Sequence, residues 1–164
     1  MSKRTESFPE PRRRLPLRRC SFRFAGRPES VSEARQWLDR RIALADAPEE
    51  TADTARLLLS ELATNSVQHS PRPPGELGGF SVRVFFLHDW LRVEVHDASR
   101  RPPVLRAASP DAMDESGRGL VLVNALASRW GRFQSVLGPG MFFELRWDVP
   151  ELLTPVVPLQ RKGR

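Results

Sequence analysis

The chain has 164 residues, with 26 basic and 20 acidic side chains and a formal net charge of +6. This length suits one domain with a sizeable core. No apolar run approaches the roughly 18 residues that a membrane span requires, so a cytoplasmic protein without a membrane segment is expected. Residues 1–23 carry a net charge of +6 and residues 161–164 carry +3, which leaves −3 for residues 24–160. Because a nucleic-acid-binding domain normally carries its positive charge on the folded face, direct nucleic-acid binding is not expected.

Three residue types limit the chemistry further. Cys20 is the only cysteine, so neither an intrachain disulfide nor a thiolate zinc site is expected. Lys3 and Lys162 are the only lysines, which excludes Schiff-base chemistry and a phosphate-loop lysine in the core. His88 and His96 have no third ligand at a plausible spacing, so they are interpreted as hairpin residues rather than metal ligands.

The first half of the chain predicts an arm, a strand and two helices. Residues 1–14 form a basic, proline-containing arm that is expected to be disordered. A strand is predicted over residues 17–24, and a helix from Ser30 with the capping box Ser30-x-x-Glu33. Apolar residues at helical spacing then predict a central helix up to Ser70, with Asp53 as its N-cap.

The second half predicts two pairs of strands around a long loop and a helix. Alternating apolar residues over 82–86 and 91–95 indicate a hairpin that turns at His88-Asp89 and ends at Asp97. Residues 98–116 read as a long loop, residues 120–127 as a helix, and residues 130–137 and 141–147 as strands around Gly138-Pro139-Gly140. The expected fold is an α+β two-layer sandwich over residues 15–148, with a mixed, mostly antiparallel sheet and helices on one face. Residues 149–164 form an irregular, proline-containing tail.

Three separated pieces carry candidate chemistry. Glu61, Asn65 and His69 recur every four residues, so they share one face of the central helix. Asp97 ends a strand, and Gly117-Arg118-Gly119-Leu120 opens the following helix. An Asp carboxylate can accept a hydrogen bond from an exocyclic amine, an Asn oxygen suits Mg²⁺, and glycines at a helix N-terminus let backbone N–H groups approach phosphate. A Glu one turn from the metal ligand can orient or deprotonate an attacking hydroxyl.

These pieces resemble the motifs of the Bergerat-fold ATPase family, which includes histidine kinases and type II topoisomerases. The resemblance runs from about residue 22 to residue 147, and it is closest to the small anti-sigma factor serine/threonine kinases. Three stretches carry it: the N-box-like run 61–70 (ELATNSVQHS), the strand 93–97 (VEVHD), and the glycine box with its helix, 117–123 (GRGLVLV) followed by 127–131 (ASRWG).

The resemblance implies an ATP-dependent enzyme with Mg²⁺ as cofactor. Asn65 is expected to bind Mg²⁺, Glu61 to be the catalytic base, and Asp97 to contact the adenine amine. Gly117, Arg118, Gly119 and Leu120 are expected to bind the nucleotide, with residues 98–116 as the ATP lid. The implied partners are a sigma factor and an anti-anti-sigma protein of the STAS type, phosphorylated on Ser or Thr. The oligomeric state stays open between a monomer and a homodimer.

Two departures from the family pattern keep a second hypothesis open. The family often has Asp-x-Gly where this chain has Asp97-Ala98-Ser99, and Gly-Lys or Gly-Thr where it has Gly138-Pro139-Gly140-Met141. The alternative is therefore a non-catalytic switch, in which bound nucleotide only gates the sequestration of a partner. Glu61 favours the kinase, since a pure binder does not need it, whereas the altered glycine positions favour the switch.

Overall fold

Residues 18–69, 78–97 and 115–148, the part of the chain that the computed structural model describes, form a five-stranded sheet and three helices. Only backbone is described at residues 69 and 115–118. In chain order the elements are β1 (Arg18–Ala25), α1 (Glu29–Ile42), α2 (Glu49–His69), β2 (Gly79–Leu87), β3 (Trp90–Asp97), α3 (Glu115–Leu126), β4 (Arg129–Ser135) and β5 (Gly138–Arg146). This order confirms the predicted α+β class and succession of elements. None of the described helices is long and apolar enough to cross a membrane.

The sheet has the strand order β1-β2-β3-β5-β4, and every described pairing is antiparallel. A mixed, mostly antiparallel sheet was expected, and the described strands are antiparallel throughout because the β4–β5 hairpin returns β5 alongside β3 in the opposite direction. Val93 of β3 pairs with Val84 of β2 on one side and with Phe143 of β5 on the other. The strand β3 is therefore central, and it ends at Asp97.

The core lies between one face of this sheet and the helices. Strand side chains alternate between the two faces, so every second residue of β2, β3 and β5 points at α1 and α2. The residues with no exposed surface include Val82, Val84, Leu91, Val93 and Phe143 from the strands, and Ala34, Leu38, Ala55, Leu58, Leu59 and Ala63 from the helices. Burying an aliphatic side chain of this size stabilises the fold by roughly 1.5–3 kcal/mol, so this layer fixes where α2 lies on β3.

Both predicted helix caps are wrong. The helix α1 starts at Glu29 after Pro28, and no side chain caps it; Glu33 instead pairs with Arg27 at 2.9 Å. Asp53 lies inside α2, which begins at Glu49, and its carboxylate binds Arg56 at 2.6 Å. In both cases the helix begins next to a proline, whose fixed φ suits the first turn better than a capping side chain further on.

The β4–β5 turn also differs from the expectation. It lies at Val136-Leu137, and Gly138-Pro139-Gly140 belongs to β5. Gly138 has a φ of 107°, which strains any residue with a Cβ. A Cβ at Gly140 would lie 2.8 Å from the ring of Phe133 and 2.9 Å from the carbonyl oxygen of Val95. These glycines are therefore needed for the hairpin and for close strand packing.

The outer face of the sheet, away from the helices, carries a network of ion pairs. Arg92 donates to Glu94 at 2.9 Å and to Glu144 at 2.8 Å, and its guanidinium lies 3.7 Å from the ring centroid of Phe142. His96, which is 2% exposed, lies between Glu94 (Nε2–Oε2, 3.2 Å) and Ser135 (Nδ1–Oγ, 3.4 Å). His96 is therefore part of this network rather than a plain hairpin residue.

We expect this network to make the fold sensitive to acid. Burial by itself raises the pKa of Glu94, but hydrogen bonds from His96 and Arg92 and the charges of Arg92 and Arg83 outweigh it and lower the pKa below its ordinary value. A carboxylate with a lowered pKa stabilises the fold above its unfolded pKa, and that stability is lost as the pH falls through the folded pKa. Denaturant unfolding of wild type between pH 7 and pH 3 should show this loss, and Glu94→Gln should lose less stability over the same range.

Candidate functional site

The helix α2 presents Glu61 and Asn65 at the edge of the core. Both side chains are half-buried, and Leu58, Leu62 and Ala63 beside them are buried against the sheet. The buried stripe orients the helix, and the four-residue spacing then places Glu61 and Asn65 one above the other. The helix α2 packs against β3 and α3, which carry the other predicted site residues, and Glu61 lies on the side of α2 that meets α3.

Asp97 provides an unpaired acceptor on the helix side of the sheet. It pairs in register with Phe80, whose side chain is buried, and it follows Val95 on the same face of β3. Its Oδ1 atom is buried and has no hydrogen-bond partner among the described residues. A buried carboxylate oxygen without a donor is costly, so this position is suited to a ligand that brings an N–H group.

The glycine box lies directly against Glu61. The helix α3 starts at Glu115, five residues earlier than predicted, so Gly117 and Gly119 occupy its first turns. Gly119 is buried, and a Cβ built there would fall on the Oε2 atom of Glu61, 3.3 Å from its Cβ and 3.4 Å from its Cδ. The absence of a side chain at residue 119 therefore leaves the space that the Glu61 carboxylate occupies.

This contact predicts a measurable cost for Gly119→Ala. The added methyl must displace the Glu61 carboxylate, and overpacking of this kind typically costs about 1–3 kcal/mol. Alanine regains up to about 1 kcal/mol of helix propensity, so the net loss in the free energy of unfolding should be about 0–2 kcal/mol. Denaturant unfolding at pH 7 measures it.

The same substitution in a Glu61→Ala background is the control. With the carboxylate removed, the closest clash is gone and the new methyl still meets the Cβ of residue 61 at 3.3 Å, so Gly119→Ala should cost less in this background than in wild type. A double-mutant cycle across the four proteins gives the interaction between the two sites. If the two substitutions have additive effects on the free energy of unfolding, the contact between Glu61 and residue 119 is contradicted.

The structure brings together some of the predicted site residues and leaves others outside its description. Glu61 contacts the position of Gly119, and Asn65 and Asp97 belong to α2 and to the strand on which α2 packs. Leu120 is half-buried in α3, whereas the side chain of Arg118 and residues 98–114 of the predicted lid lie outside the described residues. The sequence assigned separate roles to Glu61 and Gly119, and nothing in it signalled that the two are in contact.

The arrangement fits a magnesium nucleotide. The free Oδ1 atom of Asp97 matches a purine amine, and the Asn65 carboxamide offers an oxygen that Mg²⁺ can use together with waters and phosphate. The first turn of α3 has N–H groups that no earlier turn satisfies, and it contains Gly117, which lets an anion approach closely. The N–H groups of Gly119 and Leu120, which were also expected to bind the nucleotide, lie further along α3 and bond within the helix. Each of the three elements thus supplies one part of such a site.

Comparison with known proteins agrees with this geometry. The model of the histidine kinase-like ATPase domain family matches residues 24–139, which run from the end of β1 to the start of β5 and contain all of the predicted site residues. An uncharacterized protein of Streptomyces coelicolor is 39% identical over 75 residues, covering 44% of this chain and 71% of the relative.

Proposed function

Because the chain belongs to the histidine kinase-like ATPase domain family, we propose that it is an ATP-dependent serine/threonine kinase of the anti-sigma type. It transfers the γ-phosphate of ATP to a Ser or Thr hydroxyl of an anti-anti-sigma partner. Membership of the family supports ATP binding. The proposed kinase reaction rests on Glu61.

The observation that carries the reaction is the position of the Glu61 carboxylate. It lies against Gly119, near the N-terminus of α3, where the free backbone N–H groups of the first turn favour phosphate. A carboxylate beside an anion site is repelled by it, so a protein that only binds nucleotide gains nothing from keeping one there. A carboxylate that accepts the proton of an attacking hydroxyl has to be at that place.

The other site residues bind the nucleotide and orient it. Asp97 accepts a hydrogen bond from the adenine amine, which fixes the base on the inner face of β3. Asn65 would hold Mg²⁺, and the bound ion would supply positive charge to the phosphate oxygens during transfer. The free amides in the first turn of α3, which contains Gly117, hold the phosphates, and Glu61 takes the proton from the hydroxyl that attacks.

A nucleotide-gated sequestering protein is the second candidate, and Met141 favours it. Met141 lies on the inner face of β5, paired with Val95 and thus two residues from Asp97, and it packs partly buried against the core. The family that this chain resembles often has Lys or Thr at this position. A thioether is only a weak acceptor, so Met141 cannot make the polar contact beside the base that a Thr hydroxyl could make. In this second candidate, nucleotide binding changes the affinity for a partner such as a sigma factor, without transfer.

A transfer assay separates the two candidates. Labelled ATP and Mg²⁺ are incubated with the protein and with candidate STAS-type partners encoded in the same genome, and phosphate on each partner is measured. Transfer to one of them supports the kinase. ATP binding without transfer to any of them contradicts it and leaves the sequestering protein.

Calorimetry with and without Mg²⁺ tests the metal ligand. Wild type is expected to bind ATP more tightly with Mg²⁺, whereas Asn65→Ala should bind ATP with an affinity that does not depend on the metal. Gln68→Ala, an exposed carboxamide on the same helix, is the matched control and should behave like wild type. If the affinity of wild type for ATP does not change with Mg²⁺, Asn65 is not a metal ligand.

A further inference from the structure

The outer face of β1 and β2 carries positive charge that the ion-pair network does not neutralise. Arg19, Ser21 and Arg23 follow one another on the outer face of β1, and all three are exposed. Within the described residues, neither Arg19 nor Arg23 forms an ion pair, and Arg83, which lies opposite Ser21 on β2, reaches Glu94 only at 3.8 Å. The arginines on β3 are different, because Arg92 is paired with two carboxylates.

These arginines line an open groove with a mixed character. The groove encloses about 590 Å³ and includes Ser21 and Ser81 between the guanidinium groups. Its remaining wall is apolar and is formed by the side chains of Val136 and Leu137, which are 103% and 53% exposed. Exposed apolar residues beside unpaired charges are typical of a surface that binds another protein rather than only solvent.

We propose that this groove binds an extended acidic segment of a partner protein, with Glu or Asp at alternate positions. Arg19 and Arg23 are four residues apart on one strand, a distance of about 13 Å, and Arg83 lies between them on the next strand. An extended chain places its residues i, i+2 and i+4 at the same intervals on one face, so three acidic side chains can each meet one arginine. In a helix, residues i and i+4 are separated by only about 6 Å, which does not match.

Charge argues against the two ends of this chain and against a second copy as occupants. Residues 1–17, which precede β1, carry a net charge of +3, as do residues 161–164, and both ends would be repelled. A second copy placed face to face would bring two sets of these arginines together. A nucleic acid needs a long basic stripe, but beyond β2 the outer face continues into Glu94 and Glu144, so the groove suits a short anionic segment.

The test uses a labelled seven-residue peptide in which three glutamates alternate with valines, and fluorescence anisotropy with the full chain. Arg19→Ala/Arg23→Ala is expected to weaken binding about tenfold, because two exposed charge pairs with the peptide are lost. The matched control is Arg35→Ala/Arg40→Ala, which removes the same charge from exposed positions on α1 and should leave the affinity unchanged. A peptide of the same composition with three consecutive glutamates should bind more weakly.

Three outcomes overturn the proposal. Equal losses in the two double variants would mean that only net charge matters. A single-stranded oligonucleotide that binds more tightly than the peptide, with the same dependence on Arg19 and Arg23, would assign the groove to nucleic acid. A dimer in sedimentation velocity that dissociates in Arg19→Ala/Arg23→Ala would assign it to a second copy. None of these measurements depends on ATP or on phosphoryl transfer, so they stand apart from the proposed kinase activity.

Discussion

Glu61→Ala is expected to lower phosphoryl transfer by about 10²–10⁴, the usual contribution of a positioned general base, while ATP still binds within a few-fold of wild type. The two effects separate because Glu61 is assigned to the attacking hydroxyl and not to the nucleotide. Removing its negative charge from near the N-terminus of α3 also removes a repulsion of phosphate, so ATP affinity should not fall. Single-turnover transfer and calorimetry measure the two quantities independently.

The control for this variant is Glu50→Ala, which removes an exposed carboxylate from the first turn of the same helix. It should transfer phosphate at the wild-type rate. If Glu61→Ala also keeps that rate, Glu61 is not the base even though the enzyme is real. If Glu61→Ala loses ATP binding to the same extent as transfer, the residue acts through the structure of the site.

Asp97→Asn is expected to lower ATP affinity by about tenfold to a hundredfold. A hydrogen bond to a buried charged group contributes roughly 1.5–3 kcal/mol, and the Oδ1 atom of Asp97 has no competing donor among the described residues. The amide can also present an N–H donor, which suits the carbonyl oxygen of guanine. The preference for ATP over GTP should therefore fall together with the ATP affinity.

Titration with both nucleotides measures this preference, and Asp89→Asn is the control. Asp89 lies in the turn between β2 and β3, where its backbone carbonyl accepts a hydrogen bond from Trp147, so the substitution removes a charge from the same hairpin without changing the site. An unchanged ratio of ATP to GTP affinity in Asp97→Asn would show that another group reads the base.

Local patterns predicted the elements of this fold well and their ends less well. The alternation of Val82, Val84 and Phe86 with polar residues indicated a strand with one buried face, and that is what β2 has. The capping box at Ser30 was wrong because a proline two residues earlier already sets the first turn of α1. A cap depends on the backbone angles of one residue, which neighbouring chain segments can override, whereas a buried stripe is fixed by many contacts at once.

The sequence predicted the separate residues of the site, but it did not predict the contacts between them. Glu61, Asn65, Asp97 and the glycine box could be found because each has a chemical reason for its residue type. The contact between Glu61 and Gly119 depends on how closely α3 approaches α2, which no local pattern encodes. The groove of Arg19, Arg23 and Arg83 was missed because it requires the register between β1 and β2; the alternation Arg-x-Ser-x-Arg on one strand was its visible sign.

The pairing of β3 with β5 has a consequence for folding. The hairpins β2–β3 and β4–β5 each close through a two-residue turn, whereas joining β3 to β5 closes a much longer loop, from His96 to Gly140 at its nearest pair. Loop-closure entropy therefore favours the hairpins first and the central pairing late. Asp97 lies at the end of the β2–β3 hairpin, and Gly119 lies in α3, which precedes the β4–β5 hairpin. A folding intermediate made of separate hairpins therefore has no complete nucleotide site. A ligand that holds both parts should then slow unfolding and leave the folding rate nearly unchanged.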